Sequence, residues 1–151
     1  MQVFIPYLHY IGIMVLMGSL IAEHIILKPG ITKEQIKSLA SIDLIYGISA
    51  ALVLITGLLR WFEVDPKGAA YFNVNHLFHI KVTLFVVVVI LSIFPTIKFF
   101  KWRKQVKQGI QSNITSKDVK KQLVFIRIEL FLLAIIPLLA VMVALGDGLN
   151  K

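Results

Sequence analysis

Four long apolar stretches alternate with short polar segments along the 151-residue chain. The apolar stretches cover residues 5–27, 42–62, 77–97 and 122–145. Each is long enough to cross the hydrocarbon core of a bilayer as a helix, which takes about 20 residues. The pattern therefore predicts an all-α fold, a four-helix transmembrane bundle in which residues 1–151 form a single multi-pass domain.

Residues typical of helix ends stand between these stretches. Pro29-Gly30 predicts the end of the first helix, and Thr32 with Gln35 forms a capping-box pattern. The second helix is therefore expected to begin near Lys33, ahead of its apolar stretch. The remaining boundaries are predicted by a polar turn at 65–68, by Asn75, by Thr115 or Ser116, and by Gly146.

Lysine and arginine are distributed unequally between the connections. The first and third connections carry three and eight of them, eleven in all, whereas the other side carries Arg60, Lys67 and Lys151. Cytoplasmic loops of membrane proteins are enriched in Lys and Arg. The distribution therefore predicts a protein of the bacterial inner membrane with both termini outside the cytoplasm.

The composition supports a membrane location and narrows the chemistry. A content of 58% hydrophobic and 16% charged residues excludes an ordinary soluble domain. The absence of cysteine excludes disulfides, thiolate metal sites and c-type haem attachment. The net charge of +8 includes a basic run at 98–107. We interpret this run as a helix flank that contacts anionic lipid, so the expected partner is the bilayer and not a nucleic acid.

Ionisable side chains inside apolar helices are rare, because a charge at the centre of a bilayer costs about 2.5–3.5 kcal/mol. The predicted topology sorts those of this chain into two layers. The outer layer comprises His9, Arg60, His76, His79 and Lys81. The inner layer comprises Glu23, His24, Asp43, Arg127 and Glu129.

The outer layer suggests a metal or haem site. His9 and His79 lie at similar predicted depth on different helices, which suits a haem b or another metal centre inside a helix bundle. Arg60 and Lys81, near the same end, could pair with haem propionates. The alternative is that the two histidines only hydrogen-bond neighbouring helices to one another.

The inner layer suggests either an ion pair or a functional cluster. Glu23 or Asp43 is expected to pair with Arg127, which would stabilise both charges against lipid and fix the helix register. Glu129 lies about 200° around the helix from Arg127, so these two side chains do not point together. The functional alternative is a proton path or a cluster that faces a substrate.

Five short segments carry a resemblance to a known family. The chain is similar, over three helices and the charged opening of the fourth, to a family of small bacterial four-helix integral membrane proteins known as a domain of unknown function. The resemblance implies a membrane protein and no particular activity. The segments are Leu8-His9-Tyr10-Ile11-Gly12, Ala22-Glu23-His24, Asp43-Leu44-Ile45-Tyr46-Gly47, Thr56-Gly57-Leu58-Leu59-Arg60 and His79-Ile80-Lys81.

A more distant similarity is to the HemJ-type protoporphyrinogen oxidases. It rests on Leu8-His9 before Gly12, on Thr56-Gly57-Leu58 and on His79-Ile80-Lys81. It implies a haem b-binding membrane oxidoreductase that acts in electron transfer or porphyrin oxidation, with His9 and His79 as ligands and Lys81 nearby. The Glu23-His24 pair and the surroundings of Asp43 differ from that family, which puts the porphyrinogen substrate in doubt.

Two other functions stay open beside the haem hypothesis. The first is transport of copper or another small solute, and the chain has a second distant similarity, to CopD-like copper-resistance membrane domains. Met14 and Met17 could help the acidic residues in such transport, although core packing is the commoner role of methionine. The second function is that of a non-catalytic accessory subunit, whose stripes of small residues would pack against a partner or a second copy of the chain.

Overall fold

The computed structural model describes residues 2–109 and 114–149, which are helical apart from short turns. Four helices in these ranges are long and apolar enough to cross a membrane, which confirms the predicted all-α class. A π-helical turn at Arg60–Val64 continues α2. The helices are α1 (Phe4–Ile26), α2 (Lys33–Leu59), α3 (Gly68–Asn73), α4 (His76–Lys107) and α5 (Ser116–Leu145).

The helix ends follow the predicted capping chemistry. Thr32 and Gln35 form the capping box of α2, and the Asn75 side chain accepts a hydrogen bond from the backbone N–H of Phe78. Thr115, the first of the two residues considered, caps α5. Gly146 follows α5 with φ +96°, a left-handed conformation that favours glycine.

Three of the long helices extend well beyond their apolar stretches. With 32 residues, α4 is about 48 Å long, whereas the hydrocarbon core is about 30 Å thick. The extensions of α2, α4 and α5 lie at the end that carries the basic connections, which we call the basic end. The helix starts predicted near Lys33 and after Thr115 are confirmed, because the polar residues that precede the apolar stretches continue each helix beyond the bilayer.

The four long helices form a ring in which each contacts two neighbours. α1 packs against α2 and α5, and α4 packs against the same two helices. Among the described residues, α1 and α4 have no backbone contact with each other, and neither do α2 and α5. A side chain that joins α2 to α5 must therefore reach across the centre of the bundle.

A tightly packed apolar plug closes the bundle at its basic end. The plug is built from α2, α4, α5 and Leu27, the residue that follows α1, and its members have between 0% and 4% of their surface exposed. They belong to one continuous hydrophobic core. The plug comprises Leu27, Ile36, Leu39, Phe99, Trp102, Val119 and Ile126.

The opposite end is closed by the segment between α2 and α4. Here the ring of Trp61 stacks on Phe62, and its Nε1 donates a 3.0 Å hydrogen bond to Oδ1 of Asn73. The Tyr71 hydroxyl donates to the carbonyl of Val143, which ties α3 to the end of α5. The polar turn predicted at 65–68 is present, but the π-helical turn and α3 on either side of it were not predicted.

Two glycines offer a matched test of the helix packing. A Cβ at Gly12 would lie 2.9 Å from Cγ2 of Val53, whose β-branched side chain has little freedom to move. A Cβ at Gly47 would meet no atom within 4 Å. We expect Gly12→Ala to lower the free energy of unfolding in detergent by about 1–3 kcal/mol, and Gly47→Ala to leave it unchanged or slightly higher. Equal effects would contradict the close approach of α1 and α2.

Candidate functional site

Three carboxyl groups from three helices lie inside the bundle, next to the plug and on the side of it that faces away from the basic end. Glu23 of α1, Asp43 of α2 and Glu129 of α5 have 1%, 3% and 1% of their surface exposed. Tyr46, three residues after Asp43 on α2, bonds Glu129 of α5, which places the acids of these two helices at one level. We call these three residues the carboxyl layer.

Two hydroxyl groups donate to the carboxyl layer. Thr96 of α4 donates a 2.8 Å hydrogen bond to Oδ1 of Asp43. Tyr46 of α2 reaches across the bundle and donates a 2.9 Å hydrogen bond to Oε2 of Glu129. Tyr46 is one turn beyond Asp43 on α2, so the same face presents both groups to the interior. All four long helices thus contribute to one polar layer.

Each acid of the carboxyl layer has a buried oxygen without a hydrogen-bond partner. Oε1 of Glu23, Oδ2 of Asp43 and Oε1 of Glu129 are buried and accept no hydrogen bond. The ion pairs in the described part of the chain are elsewhere, at Arg60–Asp65 and Lys98–Asp118. The carboxyl layer is therefore buried without a neutralising cation, which is a costly arrangement in a membrane protein.

The predicted ion pair with Arg127 was wrong. Arg127 lies on the exposed side of α5, where its Nε donates a 3.2 Å hydrogen bond to Nε2 of His24. Glu129, two residues further on, points into the bundle. Arg127 and Glu129 thus point in different directions around α5, as expected. Arg127 lies away from all three acids, so among the described residues no ion pair of the inner layer fixes the helix register.

A groove of about 370 Å³ lies beside the carboxyl layer, between α2 and α4. Its lining is mostly apolar and includes the polar residues Tyr46, Ser92 and Thr96. Tyr46 and Thr96 are the residues whose hydroxyls bond Glu129 and Asp43. The lining of the groove thus includes the two groups that touch the carboxyl layer.

The outer layer has a different organisation. Nδ1 of His9 lies 2.9 Å from Oγ1 of Thr56, and the Thr56 hydroxyl itself donates to the carbonyl of Leu52. Thr56 therefore accepts from His9, and Nε2 of the neutral imidazole keeps its lone pair. The ring lies against Gly57, where a Cβ would be 3.3 Å from Cε1 of His9. His9 thus joins α1 to α2.

The other predicted members of the outer layer have separate partners. Nε2 of His79 donates a 2.9 Å hydrogen bond to the carbonyl of Asn73. Arg60 pairs with Asp65 at 3.5 Å. The Lys81 ammonium lies over the ring of Phe78, 4.9 Å from its centroid, so it stays on its own helix. His76, the first residue of α4, is exposed.

The contacts that the structure shows for His9 and His79 are with other protein groups. The two histidines lie on α1 and α4, helices without backbone contact, and the contacts of their rings are with Thr56, Gly57 and Asn73. In the part of the chain that the structure describes, no three His, Asp or Glu side chains are grouped closely enough to hold a metal ion. Haem or metal ligation by His9 and His79 stays a prediction.

The two methionines considered for copper face different surroundings. Met14 has 69% of its surface exposed on the outside of α1, whereas Met17 packs against the core. The structure shows no contact between either thioether and the carboxyl layer. Met14 points outward from α1, where it is well placed to contact lipid.

Sequence reasoning missed two hydroxyl groups of the candidate site, those of Tyr46 and Thr96. The spacing of Asp43 and Tyr46 was a usable signal, because residues three apart share a helix face. Thr96 gave no such signal, since its role depends on how α4 is rotated against α2. Both hydroxyls belong to the polar interior only because of tertiary packing.

Four spanning helices around a buried polar layer define a polytopic membrane protein with ionisable groups inside. The chain belongs to the family described as Predicted membrane protein (DUF2214), whose family model matches residues 1–148. No curated protein and no solved structure matches the chain. The similarity to the HemJ-type and CopD-like families is therefore not supported by these comparisons.

Proposed function

We propose that this protein is a proton-binding membrane carrier of small solutes, in which the carboxyl layer takes up and releases protons. The observation that carries the proposal is the burial of Glu23, Asp43 and Glu129 without a cationic partner. Three negative charges in such surroundings would repel one another and lose their hydration. A proton on one or more of the carboxyls removes both costs.

The hydroxyl partners suit both protonation states of the acids. A hydroxyl can donate to a carboxylate, as Tyr46 and Thr96 do, and it can accept from a protonated carboxyl after rotation. The two bonds can therefore persist while a proton joins or leaves Asp43 or Glu129. Ionisable residues inside membrane helices commonly form proton relays.

The plug gives the proposed carrier a closed side. Leu27, Leu39, Phe99 and Ile126 lie between the carboxyl layer and the basic end, and all four are fully buried. Access of the carboxyl layer to water at that end therefore requires the helix extensions to separate. The distribution of Lys and Arg supports a basic end that faces the cytoplasm of a bacterial cell.

Haem-linked electron transfer is the second candidate function, and one observation favours it. The hydrogen bond from Nδ1 of His9 to Thr56 leaves Nε2 with the lone pair that a metal ligand needs. The carboxyl layer has no role in that function, so we rank it second. A reduced-minus-oxidised absorption spectrum of haem-supplemented wild type and His9→Ala separates the two functions.

Proton uptake after a pH step tests the proposed function. The protein is embedded in lipid nanodiscs, the bulk solution is acidified, and a dye reports the protons that disappear. We expect the wild type to take up more protons than the variant that combines Glu23→Gln, Asp43→Asn and Glu129→Gln. The excess is at most three per chain, since three carboxyls are removed.

The control for this measurement is Glu63→Gln. Glu63 is an exposed carboxyl in the π-helical turn and is not part of the carboxyl layer. Its replacement should remove at most one titrating proton and leave the uptake by the carboxyl layer in place. Identical uptake by the wild type and the triple variant would overturn the proposed function.

A further inference from the structure

We infer that the groove between α2 and α4 admits a lipophilic amine from the bilayer, and that its ammonium group pairs with Asp43. The inference rests on the proposed function and names the class of solute that the carrier would exchange for protons. An ammonium ion offers three hydrogen-bond donors and a positive charge, both of which the carboxyl layer lacks. The groove is lined by Thr96, whose hydroxyl bonds Asp43.

The walls of the groove suit the apolar part of the ligand. Leu54, Ile93 and Ile97 line it and have between 42% and 62% of their surface exposed, so its rim lies on the lipid-facing surface. Gly47 lies in the wall, and a Cβ there would meet no atom within 4 Å. This wall therefore has open space at the level of the carboxyl layer.

The polar lining of the groove suits the charged part of the ligand. Thr96 lines the groove and donates to Oδ1 of Asp43, while Oδ2 of the same carboxyl has no partner and is buried. Only 3% of the surface of Asp43 is exposed, so Asp43 is not a solvent-exposed acid. An ammonium group that takes the place of the Thr96 hydroxyl would pair with that carboxyl.

Charge balance explains why the ligand should be an amine and not a neutral lipid. The carboxyl layer lacks a cation, and a bound ammonium supplies one. When the ammonium pairs with ionised Asp43, the proton that the carboxyl held is released to water. Amine binding and proton binding are therefore mutually exclusive at this carboxyl, which is the condition for exchange.

The test uses radiolabelled 1-adamantylamine and its uncharged analogue 1-adamantanol on the full chain in nanodiscs, with empty nanodiscs subtracted. We expect the wild type to bind the amine at least about tenfold more tightly than the alcohol. Binding of the amine should release protons into weakly buffered solution. Asp43→Asn should abolish both the preference for the amine and the proton release.

The variant Gly47→Leu tests the groove itself. A leucine there should fill the space and weaken amine binding at least about tenfold, while proton uptake after a pH step is retained. Gly18→Leu is the matched control, because Gly18 on α1 also has open space around its Cβ and lies outside the groove. Ala51→Leu offers a second way to fill the same groove.

The outcomes separate this inference from the proposed function. Equal binding of amine and alcohol would show an uncharged occupant and would overturn the inference, as would amine binding that Gly47→Leu and Ala51→Leu do not weaken. No amine binding together with intact proton uptake would overturn the inference alone. Loss of the difference in proton uptake between the wild type and the triple carboxyl variant would overturn the proposed function.

Discussion

Phe99→Ala is expected to lower the free energy of unfolding by about 3 kcal/mol or more. Phe99 has 0% of its surface exposed, and its ring centroid lies 5.8 Å from that of Trp102 in the plug. Removal of the ring would leave a cavity that the four surrounding helices can fill only in part. The measurement is reversible unfolding of the purified protein in detergent.

The adjacent residue provides the control for this prediction. Phe100 is 38% exposed on the other side of α4, so Phe100→Ala deletes the same ring without opening a cavity in the core. Its effect should stay within about 1 kcal/mol. Similar losses of stability for the two variants would contradict a closed plug at the basic end.

Tyr46→Phe is expected to have the second large effect, because it removes the hydroxyl that donates to Glu129. The phenyl ring keeps the packing, so the change isolates the hydrogen bond. Oε1 of Glu129 already has no partner, and the variant leaves Oε2 without one as well. A buried polar group without its partner costs about 1–3 kcal/mol. We therefore expect a loss of stability in that range.

The same variant also has a functional readout. With its donor removed, an ionised Glu129 loses its main stabilising contact, so Glu129 should hold its proton more tightly. More of it is then protonated before acidification, and proton uptake in the pH-step assay should fall. Tyr7→Phe is the control, since Tyr7 is exposed on α1 near its start. If Tyr46→Phe matches Tyr7→Phe in both stability and proton uptake, the Tyr46–Glu129 bond has no role in proton binding.

The helices were predictable from sequence because their signals are local. An apolar stretch of about 20 residues and a capping box such as Thr32–Gln35 depend only on neighbours along the chain. The extensions of α2 and α5 at the basic end were predictable from their capping residues, whereas hydropathy alone marks only where a helix meets lipid. The π-helical turn at 60–64 has no comparable sequence signal.

The candidate site was predictable only in part. The predicted inner layer included Glu23, Asp43 and Glu129, the three acids that the structure buries, because depth follows from position along each helix. Their partners depend on the rotation of each helix, which sequence spacing does not determine. That is why Arg127 was expected among the acids but bonds His24, and why Tyr46 and Thr96 were missed.

Infrared difference spectroscopy of the protein in lipid, between high and low pH, tests the central claim most directly. A protonated carboxyl has a C=O stretch that a carboxylate lacks, and its shift in deuterium oxide identifies it. We predict a pH-dependent band from buried carboxyls in the wild type and in Glu63→Gln, and its loss when Glu23, Asp43 and Glu129 are replaced together. An unchanged band in that triple variant would contradict proton binding by the carboxyl layer.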